Sequence, residues 1–181
     1  MADKHLVDRY LEVSWGENQP DPHKKEKFKC NYAKFFPSSP DAKILEVGPG
    51  RGEGISVLLE MGYRHVEALN ISEKNGFESG SFDGIRVAHL LEHLENLTVL
   101  QEEIPRLLKK GGLVYLETSN ANSLKVPSFR IFPDREGPFH FHDDPTHLRP
   151  IGTEELRAFL DGAGLTILDA GVVRNPFRIL F

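Results

Sequence analysis

Apolar positions in this chain fall into two kinds of pattern, short unbroken runs and stripes spaced three and four residues apart. The runs read as strands buried on both faces, the stripes as helices with one apolar side. Leu6, Tyr10 and Val13 predict a short helix ended by Trp15 and Gly16, and the prolines at 20 and 22 predict a loop. Residues 24–36 predict a second helix, with Phe28, Tyr32, Phe35 and Phe36 inward. Its lysines, Lys24, Lys25, Lys27 and Lys29, form a solvated face. Residues 44–47 are an apolar run, followed by a helix with Ile55, Leu58 and Leu59 on one side. Residues 65–69 predict a second strand, and Phe82 to Ile85 open a third. A helix then carries Leu97, Leu100, Ile104, Leu107 and Leu108, with Pro105 expected to kink it and Lys109-Lys110-Gly111-Gly112 expected to end it. Residues 113–118 predict a buried strand, and 123–150 an irregular, aromatic and histidine-bearing loop. Thr153 is expected to cap a helix that buries Leu156, Phe159 and Leu160 and ends at Gly162 and Gly164. Residues 165–173 and 177–181 predict two final strands. Strands alternating with helices in this way specify an α/β sheet covered on both faces.

Between the run at 44–47 and the next helix lies Gly48-Pro49-Gly50-Arg51-Gly52. Strand, glycine turn and helix make a ligand site in an open α/β sheet, because glycine lets a ligand approach the backbone and the helix start offers unpaired N–H groups. The dinucleotide fingerprint G-x-G-x-x-G fails, since Glu53 stands where its third glycine belongs. The P-loop fails as well, for want of a Gly-Lys-Ser/Thr ending.

What remains, Glu46 followed by Gly48, Gly50 and Gly52, resembles the first motif of the class I S-adenosylmethionine (SAM) dependent methyltransferases. A carboxylate near the loop suits a cofactor that is cationic and lacks phosphates. Three further stretches follow in the family's order: 70–72 after the second strand, Phe82-Asp83 leading to Leu91-Glu92-His93-Leu94, and Leu107 to Val114 leading to Glu117-Thr118-Ser119-Asn120. Residues 144–150, Asp-Pro-Thr-His-Leu-Arg-Pro, resemble a segment of bacterial methyltransferases associated with sugar and O-antigen loci. The resemblance implies a three-layer Rossmann-like, mostly parallel sheet over 43–181, with residues 1–42 as an N-terminal helical cap. It also implies cofactor contacts: Glu46, Gly48, Gly50 and Gly52 to the aminoacyl end, Asn70 to the ribose, Ala88 and His89 to the methionine side.

Two departures from the family are expected to matter. Asn70 stands where an acidic residue usually holds the ribose hydroxyls. Only residues 73–81 separate the second strand from the next, too few for the helix, edge strand and adenine loop that the family places there. An absent edge strand and a shortened cofactor side are therefore expected, and with them a possible loss of catalysis that would leave a methyltransferase-like binding protein.

For a hydroxyl acceptor the protein must align the reactants and take a proton; by residue type His89, His93, His142 and His147 are candidates, and His93 or His147 is the expected base or acceptor-orienting group. His89, Glu92 and His93, spaced i, i+3, i+4, together with His147, also resemble the divalent-metal set of small-RNA 2′-O-methyltransferases; a metal is possible but not favoured. Composition narrows the partners. The net charge of −5 and pI near 5.9 argue against broad nucleic-acid binding and so against an RNA acceptor. The single cysteine excludes a disulfide framework, and no stretch predicts a leader or membrane span, so a cytoplasmic location is expected. A small-molecule or saccharide acceptor, methylated on oxygen, is the reading that follows.

Overall fold

The computed structural model describes residues 36–50, 52–71, 76–125 and 140–172. Its frame is a parallel sheet in the order β2-β1-β3-β4, built from β1 (Lys43–Val47), β2 (His65–Leu69), β3 (Phe82–Ala88) and β4 (Leu108–Glu117). The helices are α1 (Glu53–Glu60), α2 (Thr98–Leu107) and α3 (Thr153–Gly162). Strand alternation sorts the core into two layers. Leu45, Val47, Ile85 and Val87 face α2 and α3, meeting Leu100, Ile104, Leu107 and Phe159. Ile44 faces the α1 side with Leu58, Tyr63 and Phe36. The expected α/β sheet with helices on both faces is what forms.

Several local expectations are corrected. The buried side of α1 is Gly54, Val57 and Leu58, whereas Leu59 is 52 % exposed, because the helix turns its 54–58 stripe rather than its 55–59 stripe to the sheet. Lys109 to Gly112 do not end a helix. α2 stops at Leu107 and the chain enters β4 at once, Leu108 pairing with Phe82 and Leu113 with Gly84, so the residues between bulge opposite Asp83. Asp83 receives Lys109 Nζ at 2.7 and 2.8 Å and the Lys43 N–H at 2.9 Å, which ties the amino ends of β1, β3 and β4 together. The lysine hydrogen bond holds the Asp83 carboxyl below its ordinary range. Thr153 is the first helical residue and Gly152 the cap position, so the expected threonine cap does not form. Pro105 lies inside α2 without ending it.

Residues 165–172 form no strand; Leu168 and Val172 are 78 % and 67 % exposed, with no core face to bury. β2 and β3 follow one another with no strand between them among the described residues, which leaves β2 at a sheet edge with His65, Glu67 and Ala68 exposed. Both N-terminal helices lie outside the described residues except for Phe36, which packs on Tyr63 and Tyr115. The last expected strand, 177–181, also lies outside them. Among the described residues no helix is long and apolar enough to cross a membrane.

Candidate active site

In a parallel sheet all carboxyl ends open on one side, so β1, β3 and β4 deliver their following loops to one crevice. β1 delivers the glycine loop. Gly48, Gly50 and Gly52 hold φ of 71°, 52° and 84°, a region that side chains other than glycine rarely adopt. Open space surrounds Gly50 and Gly52, where an added Cβ would meet nothing within 4 Å. Gly52 stands at the N-cap of α1 and makes no side-chain hydrogen bond. The Gly48 N–H donates to Leu69 O at 2.9 Å, which sets the end of β2, and hence half-buried Asn70, beside the loop.

Glu46 lies one layer beneath the loop. It is 2 % exposed and ion-paired with Arg86 of β3, its register neighbour on the same sheet face. Its other oxygen, Oε2, has no hydrogen-bond partner. Burial pushes the Glu46 carboxyl up to about 7, against the pull of Arg86. Gly54 makes this possible: a Cβ there would stand 2.6 Å from both Arg86 Nη1 and Glu46 Oε1. The sequence signal for this pair is an arginine within the apolar run Ile85 to Ala88.

From β3 the chain leaves through Ala88 into His89, whose φ of 51° is the one left-handed value among described residues other than glycine. Leu91–His93 then form a single 3-10 turn. This corrects the expectation that His89, Glu92 and His93 share a helix face, because His89 sits in the turn before it. Its Nδ1 meets Glu92 Oε1 at 3.3 Å, and its Nε2 meets Glu117 Oε1 at 3.2 Å at the end of β4. Burial opposes a charge on the ring, but the two carboxylates outweigh it and lift His89 to about 9. The ring remains 45 % exposed, so water screens part of this effect.

Glu92 is the hub of the crevice. It is fully buried, and it accepts from Thr118 Oγ1 at 2.8 Å, Ser119 N at 3.0 Å and Ser119 Oγ at 2.7 Å. Burial works against its charge, yet these donors and His89 hold the carboxyl far below its ordinary range. Its backbone carbonyl accepts the Leu148 N–H at 2.8 Å, drawing in the late loop. That loop sets the His147 ring 4.7 Å from the His93 ring, centroid to centroid. His147 Nδ1 donates to Phe141 O at 2.7 Å, while its Nε2 lies 3.8 Å from Asp144 Oδ2 and 4.0 Å from Glu92 Oε1. His93 Nδ1 meets Thr146 Oγ1 at 3.0 Å and Thr146 O at 3.3 Å. Burial holds the His93 pKa below its ordinary value, with Glu92 opposing and His147 reinforcing the effect. Leu90 joins the two halves, its side chain about 3.0 Å from where a Gly48 Cβ would stand.

A family model described as a methyltransferase domain matches residues 22–170. This chain belongs to that methyltransferase family. A ubiquinone biosynthesis O-methyltransferase of Xanthomonas oryzae pv. oryzae is 29 % identical over 137 residues, covering 71 % of this chain and 53 % of its own length. A protein of the same description from Xanthomonas axonopodis pv. citri is 33 % identical over 110 residues, 56 % of this chain and 43 % of that protein. The chain thus spans about half the length of the curated relatives it matches. Among solved structures, a SAM dependent methyltransferase from Archaeoglobus fulgidus superposes with a TM-score of 0.61 at 20 % identity, over 90 % of this chain and 74 % of that one. The [4+2]-cyclase SpnF superposes at 0.56 with 18 % identity, over 91 % of this chain and 71 % of its own. The fold is therefore the Rossmann-like one of class I methyltransferases.

In this methyltransferase domain the sequence-chosen residues divide into two groups. Gly48, Gly50, Gly52, Asn70 and His89 follow the carboxyl ends of β1, β2 and β3, Ala88 ends β3, and His93 and His147 come together from well-separated parts of the sequence. Glu46 is beneath the loop rather than in it. The four-residue metal set becomes three: Glu92, His93 and His147 offer donor atoms within 4.8 Å of one another, whereas His89 is held between two carboxylates. Two imidazoles and a carboxylate fit a divalent cation in kind and spacing, with both Nδ1 atoms engaged elsewhere. Glu92 nonetheless has its charge satisfied by Thr118 and Ser119 without one. Neither Glu117 nor Thr146 stands out singly in the sequence, though an acidic residue at a strand's carboxyl end is a readable signal for Glu117. A depression lined by Phe36, Ser38, Asp83 and Lys109 lies at the strands' amino ends, away from this chemistry.

Proposed function

We propose that this domain transfers the methyl group of S-adenosylmethionine to a hydroxyl oxygen of a small molecule. The observation that supports this most is the junction of an open glycine loop with a buried carboxylate–imidazole cluster through Leu90. The loop and the start of α1 hold the aminoacyl end, Asn70 the ribose, and Ala88 and His89 the methionine side. The cofactor, when bound, supplies an electrophilic methyl carbon on a sulfonium. His93 would take the acceptor's proton at Nε2 while the new bond from oxygen to that carbon replaces the carbon–sulfur bond and a neutral thioether leaves, and His147 would orient the acceptor. Enclosure of the reactants in this crevice supplies alignment, the larger share of what such a displacement needs. Two matched relatives are named as O-methyltransferases of ubiquinone biosynthesis, which supports oxygen as the acceptor atom. A saccharide hydroxyl is the second acceptor class, supported by the resemblance of residues 144–150.

Calorimetry with SAM and with its demethylated product is the test. Micromolar binding of both, and methylation of phenolic or sugar hydroxyls by the domain, are expected. Absence of binding at millimolar ligand would overturn the proposal and leave a binding domain of another kind. The exposed β2 edge and Asn70 favour that rival, and the similarity to a cyclase is a reminder that this fold hosts other chemistry.

A further inference from the structure

The late loop does more than bring a second histidine to the crevice. Thr146 is 4 % exposed and its hydroxyl lies between two groups, Asp144 Oδ1 at 2.5 Å and His93 Nδ1 at 3.0 Å. A hydroxyl has one proton to donate, and a carboxylate oxygen can only accept. The Thr146 proton therefore goes to Asp144, and the hydroxyl oxygen accepts from His93, which places a proton on Nδ1. The Thr146 carbonyl, 3.3 Å from the same nitrogen, is also an acceptor and demands the same proton. The reverse assignment would set a bare imidazole nitrogen against a carbonyl oxygen and leave two acceptors facing each other across 2.5 Å. Asp144 is itself fixed, because its Oδ1 also accepts the Thr146 N–H at 2.8 Å in an Asx-type turn. One short segment thus supplies both the hydroxyl and the carboxylate that anchors it.

We infer that Thr146 and Asp144 are positioning residues that hold His93 as its Nδ1–H tautomer, making Nε2 the basic nitrogen of the crevice. The chain His93 Nδ1–H to Thr146 Oγ1–H to Asp144 Oδ1 sets which ring nitrogen carries the lone pair and fixes the plane of the ring. His147 is fixed in the same sense by a simpler device, its Nδ1–H donating to the Phe141 carbonyl. The difference lies in what each remaining nitrogen faces. His147 Nε2 is set 3.8 Å from Asp144 Oδ2 and 4.0 Å from Glu92 Oε1. With Nδ1 protonated, a neutral His93 ring carries its lone pair on Nε2. The assignment of His93 as base rests on the methyl-transfer reading; the tautomer does not.

The experiment is nitrogen-detected NMR on the full chain with labelled histidine at pH 7.5, the His93 signals assigned by their loss in His93→Gln. A protonated Nδ1 and bare Nε2 are expected in the wild type. Thr146→Val, which keeps the shape and removes the hydroxyl, is expected to mix the tautomers, and Thr146→Ser to restore the wild-type pattern. Asp144→Ala serves as a second variant should Thr146→Val not fold, with the same mixing expected. If the domain methylates, kcat falls roughly 10-fold or more in Thr146→Val with SAM affinity within about two-fold, and recovers in Thr146→Ser. A wild-type Nε2–H tautomer, or an Nδ1–H tautomer unmoved in either variant, would overturn the inference. A correct tautomer in a chain that neither binds SAM nor methylates sinks the function proposal alone.

Discussion

Replacing Arg86 with Met should destabilise the domain by an amount that depends strongly on pH. The guanidinium is 3 % exposed and donates to the Glu46 carboxylate, whose Oε2 has no partner among the described residues. Methionine fills most of the arginine's volume, so the change removes charge and hydrogen bonding more than packing. Breaking one side of a buried pair costs about 3–5 kcal/mol, because the remaining charge is buried uncompensated. That figure applies only while Glu46 is ionised. Its carboxyl is raised from 4.5 to about 7 even with Arg86 in place. A raised folded value means that the native state holds a proton the unfolded chain has lost. The group's contribution to stability is therefore full below about pH 4.5 and is lost as pH climbs through 7, on the order of 3 kcal/mol in all. Without Arg86 the pull downward disappears and Glu46 stays protonated to higher pH. At pH 5 the variant therefore buries a neutral acid and should lose only about 1 kcal/mol. At pH 8 holding that proton costs the variant about 1.4 kcal/mol more than the wild type, whose own carboxyl has by then titrated, so it should lose about 2–3 kcal/mol. Urea denaturation at the two pH values measures this, and Glu46→Leu combined with Arg86→Met should recover most of the loss at pH 8. An equal loss at both pH values, or a double variant no better than the single one, would refute the reasoning.

Three other outcomes are expected. Gly54→Ala should destabilise the domain by about 1–3 kcal/mol in urea titrations despite alanine's better helix propensity, because its Cβ would enter the Glu46–Arg86 pair at 2.6 Å. Glu92→Gln should lose at least about 2 kcal/mol, since a buried carboxylate that accepts from Thr118, Ser119 N and Ser119 Oγ becomes an amide with one acceptor oxygen; an unchanged urea midpoint would contradict its role as hub. Dialysis against a chelator should leave methyl transfer unchanged, and a loss restored by a divalent cation would instead make Glu92, His93 and His147 a metal centre.

The frame of the domain was legible because strand runs and helix stripes depend on local periodicity, which burial then confirms at Ile44 to Val47, at Leu100, Ile104 and Leu107, and at Phe159. Edges and junctions were not. The passage from α2 to β4 reads as a basic, glycine-rich helix end, but Leu108 is claimed by Phe82 across the sheet, a partner that lies far away in sequence. The run after Gly164 has strand-forming residues and no ladder, since a strand requires a neighbour as well as a propensity. At the site, individual residues were readable where a strand end fixed their position, as for Gly48, Asn70 and Ala88. Pairings across the sheet or across the late loop were hidden. Arg86 meets Glu46, Glu117 meets His89 and Thr146 meets His93 only once the chain has folded.

Those three pairings share a physical logic that bears on how the crevice works. Each anchors an ionisable group that a ligand-binding cleft would otherwise leave to water. Glu46 is countered by Arg86, Glu92 and Glu117 by His89, and Asp144 by the Thr146 hydroxyl and N–H. A site arranged in this way need not recruit ions or reorganise when a ligand displaces solvent, and preorganised charge is where most electrostatic catalysis originates. It also narrows what can act as the proton acceptor. The carboxylates are spent on structural donors, and His89 is committed to two of them. His147 Nε2 faces acids. Under the proposed function His93 and His147 remain as candidates for the base, and the assignment to His93 and its tautomer can fail separately. Loss of transfer in His93→Gln with SAM affinity intact would support the assignment to His93; full activity in that variant would return the role to His147.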